Sequence, residues 1–135
     1  MYPITMLTAS LLSFLYIIIS MKIIKLRHQY RVSMGSGGNE HLERIIRAQA
    51  NFAEYVPLSL ILMLCAEANQ VNLIILSILA CILILGRLFH AYAFIFNKKH
   101  FKFRVRGMIL TFTAIILLAT LDILFLVFKF MLPNH

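Results

Sequence analysis

Acidic residues are scarce in this 135-residue chain: five Asp and Glu stand against thirteen Lys and Arg, and only 13% of positions are charged. A soluble domain carries about 25%. Apolar residues fill 61% of the chain, and the mean hydropathy is +0.89. One small core cannot hide that much greasy surface from water. An ordinary soluble domain is therefore excluded, and a polytopic membrane protein remains. Cysteine is also rare. Cys65 and Cys81 fall inside apolar runs and read as buried free thiols. No set of His, Cys, Asp and Glu has ligand spacing, so no metal is expected. The segment from Ser33 to Asn39 is rich in glycine but lacks the Gly-Lys-Ser/Thr ending of a phosphate loop, and it reads as a flexible turn. There is no internal repeat. The net charge of +8 does not point to nucleic acid, because a basic soluble face would not come with long apolar runs.

What the chain does have is four apolar runs, and about 20 apolar residues cross a bilayer as a helix. They cover Pro3 to Ile24, Phe52 to Ala68, Val71 to Phe96 and Val105 to Met131. The second is short as an apolar run, and its helix is expected to begin near Asn39–Leu42, with spans of about 3–24, 42–68, 71–96 and 105–131 in a single domain. Asn39 or Glu40 could cap that helix, and Glu40 and Glu43 suit its positive N-terminal dipole. The first run reads as a retained span. No basic segment precedes it, no small-residue cleavage site follows it, and the positive charges come after it.

Charge in the connections indicates topology. The first connection holds Lys25, Arg27, Arg31 and Arg44, with Lys22 and Arg47 beside it; the third holds Lys98, Lys99, Lys102, Arg104 and Arg106. The short second, Glu67 to Asn72, holds no Lys or Arg. Lys and Arg accumulate on the cytoplasmic side, so the basic loops are expected in the cytosol and both termini outside. The minimal chain suits a bacterial inner membrane better than a eukaryotic endomembrane.

Polar residues continue into the second span. Arg44, Arg47, Asn51, Glu54 and Tyr55 fall within roughly a 100° arc at about 100° per residue. Ionisable groups at that depth are costly and normally face a bundle interior or a wet cavity. A snorkelling Arg pair with a structural bridge would explain Arg44, but not the stripe continuing inward. Pro57 follows, where a bend is expected. The third span ends with Arg87, His90 and Phe94 at i, i+3 and i+7, and the fourth opens with Arg104 and Arg106. Three helices thus bring cations to one level, with Glu54 as the main carboxylate. Such a pocket calls for an anion with more than one carboxylate, which Arg forks bind bidentately, and an ammonium to meet Glu54. Glutathione fits. A cation beside its thiol would favour the thiolate, the reactive nucleophile.

The run Arg47-Ala-Gln-Ala-Asn-Phe-Ala-Glu-Tyr-Val-Pro57 closely resembles the signature of the MAPEG family, the membrane-associated proteins in eicosanoid and glutathione metabolism. Four spans and the chain length agree with it. The resemblance implies an all-α, integral-membrane, left-handed four-helix bundle that assembles as a homotrimer, with glutathione between neighbouring subunits on the cytosolic side. By matching positions, Arg47, Asn51, Glu54 and Tyr55 would hold glutathione; Gln49 and, through a looser match, Arg27 would reach it from the adjacent subunit. Arg87 and His90 match the third-helix stripe, His90 standing where relatives carry His or Tyr. Arg104 is the better match for the family's thiolate-stabilising Arg, and Arg106 is the runner-up. These two lie about 200° apart on a helix, so both cannot face one thiol. In two places the chain departs from the family pattern. Phe94 replaces a Tyr found in several relatives, and the third loop is about one residue longer than in some.

The resemblance implies a membrane glutathione transferase, with peroxidase activity as an extension, acting on lipophilic electrophiles or hydroperoxides that enter from membrane lipid. Two rivals are a non-catalytic lipid-binding or scaffold trimer and a proton-coupled multidrug exporter using Glu54. The retained Arg, Asn, Glu and Tyr set argues against the first. An Arg47–Glu54 pairing would argue against the second. Asp122 lies roughly 24 Å beyond Arg106 along the fourth helix, too far for this chemistry, and reads as a structural partner in the bundle.

Overall fold

In the computed structural model, residues 1–95 and 101–131 are described, and they form four helices with no strand among them. These are α1 (Pro3–Tyr30), α2 (Glu40–Ala68), α3 (Leu73–Ile95) and α4 (Phe101–Met131). Each is long and apolar enough to cross a membrane. The protein is an all-α, integral-membrane four-helix bundle. Lys98 and Lys99 of the third connection lie outside the described residues.

Local chemistry accounts for the helix ends. Pro3 opens α1 at a position where its missing N–H costs nothing. The cap of α2 is Asn39, whose side-chain oxygen accepts from the His41 and Leu42 N–H groups at 3.0 Å each. α1 continues past the apolar run to Tyr30 and stops at Arg31, a left-handed residue with φ 54°. α2 runs unbroken through Pro57, which is exposed on the bundle surface.

α1 packs on α2 and α3, and α4 packs on the same two, so α1 and α4 stand at opposite corners, without mutual contact among the described residues. α3 and α4 are the most intimately paired, through glycine. A Cβ added at Gly107 would lie 2.7 Å from both the Gly86 carbonyl oxygen and the His90 nitrogen. Small residues let membrane helices approach to backbone contact, and here the contact lies beside His90. Two fully buried hydroxyls are satisfied within their own helices: Thr111 donates to the Gly107 carbonyl at 2.8 Å and Ser59 to the Tyr55 carbonyl at 2.8 Å.

Glu67 makes a link that the sequence does not announce. It is buried, and its carboxylate accepts the Ile4 and Thr5 N–H groups at 2.9 and 2.8 Å. The end of α2 thus caps the start of α1, which has no side-chain cap of its own. The expectation of buried thiols is corrected: Cys65 and Cys81 are both exposed on the surface of the single chain. The physical reason is that hydrocarbon is as apolar as the bundle interior, so nothing drives a thiol inward.

Candidate functional site

The polar residues of α2 divide by face. Ala48, Phe52, Val56, Ser59 and Met63 are buried and define its inward side. Glu54 points the opposite way and is exposed, fourteen residues from either end of the helix, or about 21 Å by helical rise. Arg47 is 77% exposed, and its ion pair is with Glu43, at 3.5 Å, so the Arg47–Glu54 pairing expected from sequence is not the one formed. An i, i+4 pair on one helix face forms readily; the i, i+7 separation of Arg47 and Glu54 spans about 10 Å. Asn51 and Tyr55 are half-buried on the flank between these faces. Gln49 turns toward α1, donating to the Ser20 hydroxyl at 2.6 Å, while Ser20 donates to the Tyr16 carbonyl at 2.9 Å.

A second set gathers where α3 meets α4. Arg87 is 1% exposed and His90 2% exposed. One Arg87 nitrogen, Nη2, reaches the Met108 sulfur at 3.6 Å. Its Nε and Nη1, and Nε2 of His90, are buried without a hydrogen-bond partner among the described residues. The His90 ring lies 4.9 Å from Phe94, and the Arg104 guanidinium lies over Phe94 at 5.6 Å and over Phe101 at 5.9 Å. No carboxylate pairs with Arg87, His90 or Arg104 among the described residues.

One stripe of α4 organises this set. Arg104, Met108 and Phe112 recur every fourth residue and so share a face. Arg104 meets Phe94, Met108 meets Arg87, and Phe112 meets Tyr55 edge-on at 5.2 Å between ring centres. The stripe thus joins α3 to α2. Met108 and Phe112 are absent from the residues read off the sequence, although their spacing from Arg104 could have signalled them. Arg106 is exposed, about 200° around from Arg104. Arg27 lies in the last turn of α1, where it lines a hollow with His28 and Arg31.

Two groups of residues therefore emerge in the single chain: buried Arg87 and His90 with half-buried Tyr55 and exposed Arg104 linked through the α4 stripe, and Arg47 and Glu54 on the outward face of α2. Both fall within residues 5–124, which match the MAPEG family. The chain belongs to the MAPEG family. MAPEG membership makes it a membrane protein of the glutathione transferase and eicosanoid family. It is also similar to the inner membrane protein YecN of Escherichia coli K12, 37% identical over 99 residues that cover 73% of this chain and 74% of YecN. YecN of E. coli O6:H1 matches with the same identity and coverage. The stretch of this MAPEG chain that carries the signature, Arg47 to Pro57, lies wholly within α2. Among the described residues of this MAPEG protein, no group of three His, Cys, Asp or Glu could hold a metal ion.

Proposed function

We propose that the chain is a membrane-bound glutathione transferase, able also to reduce hydroperoxides, that works as a homotrimer in a bacterial inner membrane with its site toward the cytosol. The observation that carries this reading is the buried Arg87 guanidinium at the α3–α4 seam, where Arg87 and His90 hold unmet polar atoms and have no carboxylate partner among the described residues. Leaving a buried donor unmet costs about 1–3 kcal/mol, and an anionic ligand removes that cost. Glutathione supplies two carboxylates for Arg forks, an ammonium for Glu54 and a thiol for Arg104.

The trimer draws support from Glu54. A carboxylate facing lipid near the middle of a membrane helix is costly, whereas a second subunit against this face would give it a polar setting. Arg47, Asn51 and Glu54 would then meet the inner set at a subunit boundary, with Gln49 and Arg27 contributed across it. For conjugation, the thiolate sulfur attacks an electrophilic carbon, a C–S bond forms, and the leaving group departs with its electron pair. For a hydroperoxide, sulfur attacks the terminal oxygen, the O–O bond breaks, and alkoxide leaves to take a proton. A second glutathione then converts the sulfenic acid to the disulfide and water. Lipophilic substrates have a route from the bilayer along an apolar groove of about 510 Å³ lined by Leu88, Tyr92 and Phe103, next in sequence to Arg104.

The test follows the ultraviolet band of glutathione thiolate against pH with purified protein. A bound thiol pKa about two units below the free value near 8.5 is expected, equivalent to about 2.7 kcal/mol. An unshifted thiol overturns the enzyme reading. A second reading, proton-coupled export through Glu54, draws on the pairing of Arg47 with Glu43, which leaves Glu54 without an ion pair among the described residues. Drug-coupled proton flux in vesicles with no glutathione effect would favour it. A scaffold trimer would show neither.

A further inference from the structure

A second hollow of about 440 Å³ lies where α1 ends, lined by Ile24, Arg27, His28, Arg31, Val32 and Ser33, and it shares only Arg27 with the proposed glutathione site. Its volume is in the range that holds a small ligand. Three of the six lining side chains are basic, one carries a hydroxyl, and none is acidic. The side chains of Arg27, His28 and Arg31 bring three basic groups around one hollow. Such a cationic hollow calls for an anion.

The end of α1 is built rather than loose. The Arg31 N–H reaches the His28 carbonyl at 3.3 Å, and the Val32 N–H reaches the Arg27 carbonyl at 3.0 Å. These bonds occupy carbonyls that would otherwise present negative charge at the helix end. Gly37 closes on Val32 from the following loop, so tightly that a Cβ there would lie 2.6 Å from a Val32 methyl. Arg31 holds φ 54°, a left-handed conformation that favours glycine. Ile24, one turn before His28, is exposed and apolar, so the hollow has a hydrocarbon side and a cationic side. Lys22 and Lys25 add charge at the same end of α1.

We propose that this hollow binds a phosphate group, supplied by the headgroup of an anionic phospholipid in the leaflet that the basic loops face. Arg27, His28 and Arg31 meet the phosphate oxygens, Ser33 donates a hydroxyl hydrogen bond, and Ile24 lies against the first acyl carbons. Basic residues near such a leaflet each contribute about 1 kcal/mol to its attraction, close to fivefold in affinity.

The full chain in detergent is titrated with phosphatidylglycerol and, separately, with phosphatidylcholine of the same acyl chains, and bound lipid is counted by native mass spectrometry. Phosphatidylglycerol should bind several-fold more tightly. Arg31→Gly should reduce that preference about fivefold while leaving thermal stability equal or higher, because glycine suits the left-handed position. Arg31→Lys should retain the preference. Equal binding of the two lipids overturns the proposal, as does a preference untouched in Arg31→Gly combined with His28→Gln. Inorganic phosphate is the second arm. Competition with phosphatidylglycerol supports phosphate as the recognised group, whereas phosphate binding without any lipid preference overturns the lipid source. Displacement of the lipid by glutathione would merge this hollow with the glutathione site and overturn its independence. Arg27 is left intact throughout, so a failed thiolate titration and a failed lipid preference remain distinguishable.

Discussion

Arg104 sits over the ring of Phe94 at 5.6 Å, and Phe94 in turn lies 4.9 Å from His90. The contact orients the opening turn of α4 toward the polar stripe of α3. Arg106, two residues on, faces elsewhere. In the proposed reaction Arg104 is the guanidinium assigned to the glutathione thiol. Arg104→Ala should return the bound thiol pKa toward about 8.5, while Arg106→Ala should leave it depressed. The ultraviolet thiolate titration reads both. The opposite pattern would move the activating role to Arg106.

Phe94 holds Arg104 by its ring face rather than by a hydrogen bond. Cation–π contacts are worth about 0.5–1 kcal/mol at exposed sites, and Arg104 is exposed in the single chain. Phe94→Leu should therefore raise the bound thiol pKa by only about 0.4–0.7 units, less than Arg104→Ala. Phe94→Tyr keeps a ring face and should preserve the depressed value. An equal effect of Leu and Tyr would remove the ring from the mechanism.

Gly107 has no room for a methyl group. Gly107→Ala would set a Cβ 2.7 Å from backbone atoms of both Gly86 and His90, so α3 and α4 must separate. Overpacking of this kind costs about 1–3 kcal/mol. Thermal unfolding in detergent should shift downward, and glutathione affinity should fall with it because His90 moves with the seam. Unchanged stability would show that the helices part at little cost.

Glu67 holds α1 from another helix. Glu67→Gln keeps the size but weakens acceptance of the Ile4 and Thr5 N–H groups, and Glu67→Ala removes it. Losing a cap costs about 0.5–2 kcal/mol, with a further contribution from the helix dipole. Hydrogen exchange at the first turn of α1 should quicken in the order wild type, Gln, Ala. Uniform exchange across the three proteins would reduce the contact to a passive one.

Glu54 tests the proposed assembly. Glu54→Gln retains shape and removes charge; losing a hydrogen bond to a charged group costs about 1.5–3 kcal/mol. Glutathione should bind roughly ten- to a hundredfold more weakly, and mass measured by light scattering, corrected for detergent, should give three copies for the wild type. A monomer that binds glutathione with full affinity would contradict the subunit-boundary site.

Much of the fold was legible because membrane helices are set by local rules. Four apolar runs of sufficient length could only be helices, since lipid offers no partner to an unpaired backbone group. Asn39, one of two residues able to cap α2, does so because a side-chain oxygen there reaches the amides of the first turn. The stripe Arg87, His90 and Phe94 was visible through helical spacing, and the structure places the first two in the bundle interior with Phe94 half-buried beside them. Other features depended on which helices become neighbours. Nothing local in Glu67 points to the start of α1, 62 residues earlier. Gln49 and Ser20 are 29 residues apart, and only the packing of α1 on α2 makes them partners.

From the order of residues alone came the membrane setting, the four helices, the uneven placement of positive charge and the family signature. These depend on hydropathy, helical period and spacing within a single segment. Tertiary packing decided that Glu54 turns outward, that both thiols face away from the core, and that Arg104 rather than Arg106 reaches Phe94. Each of those outcomes depends on how one helix is rotated against another. That rotation is set across the seams, above all where Gly86 and Gly107 bring two backbones into contact.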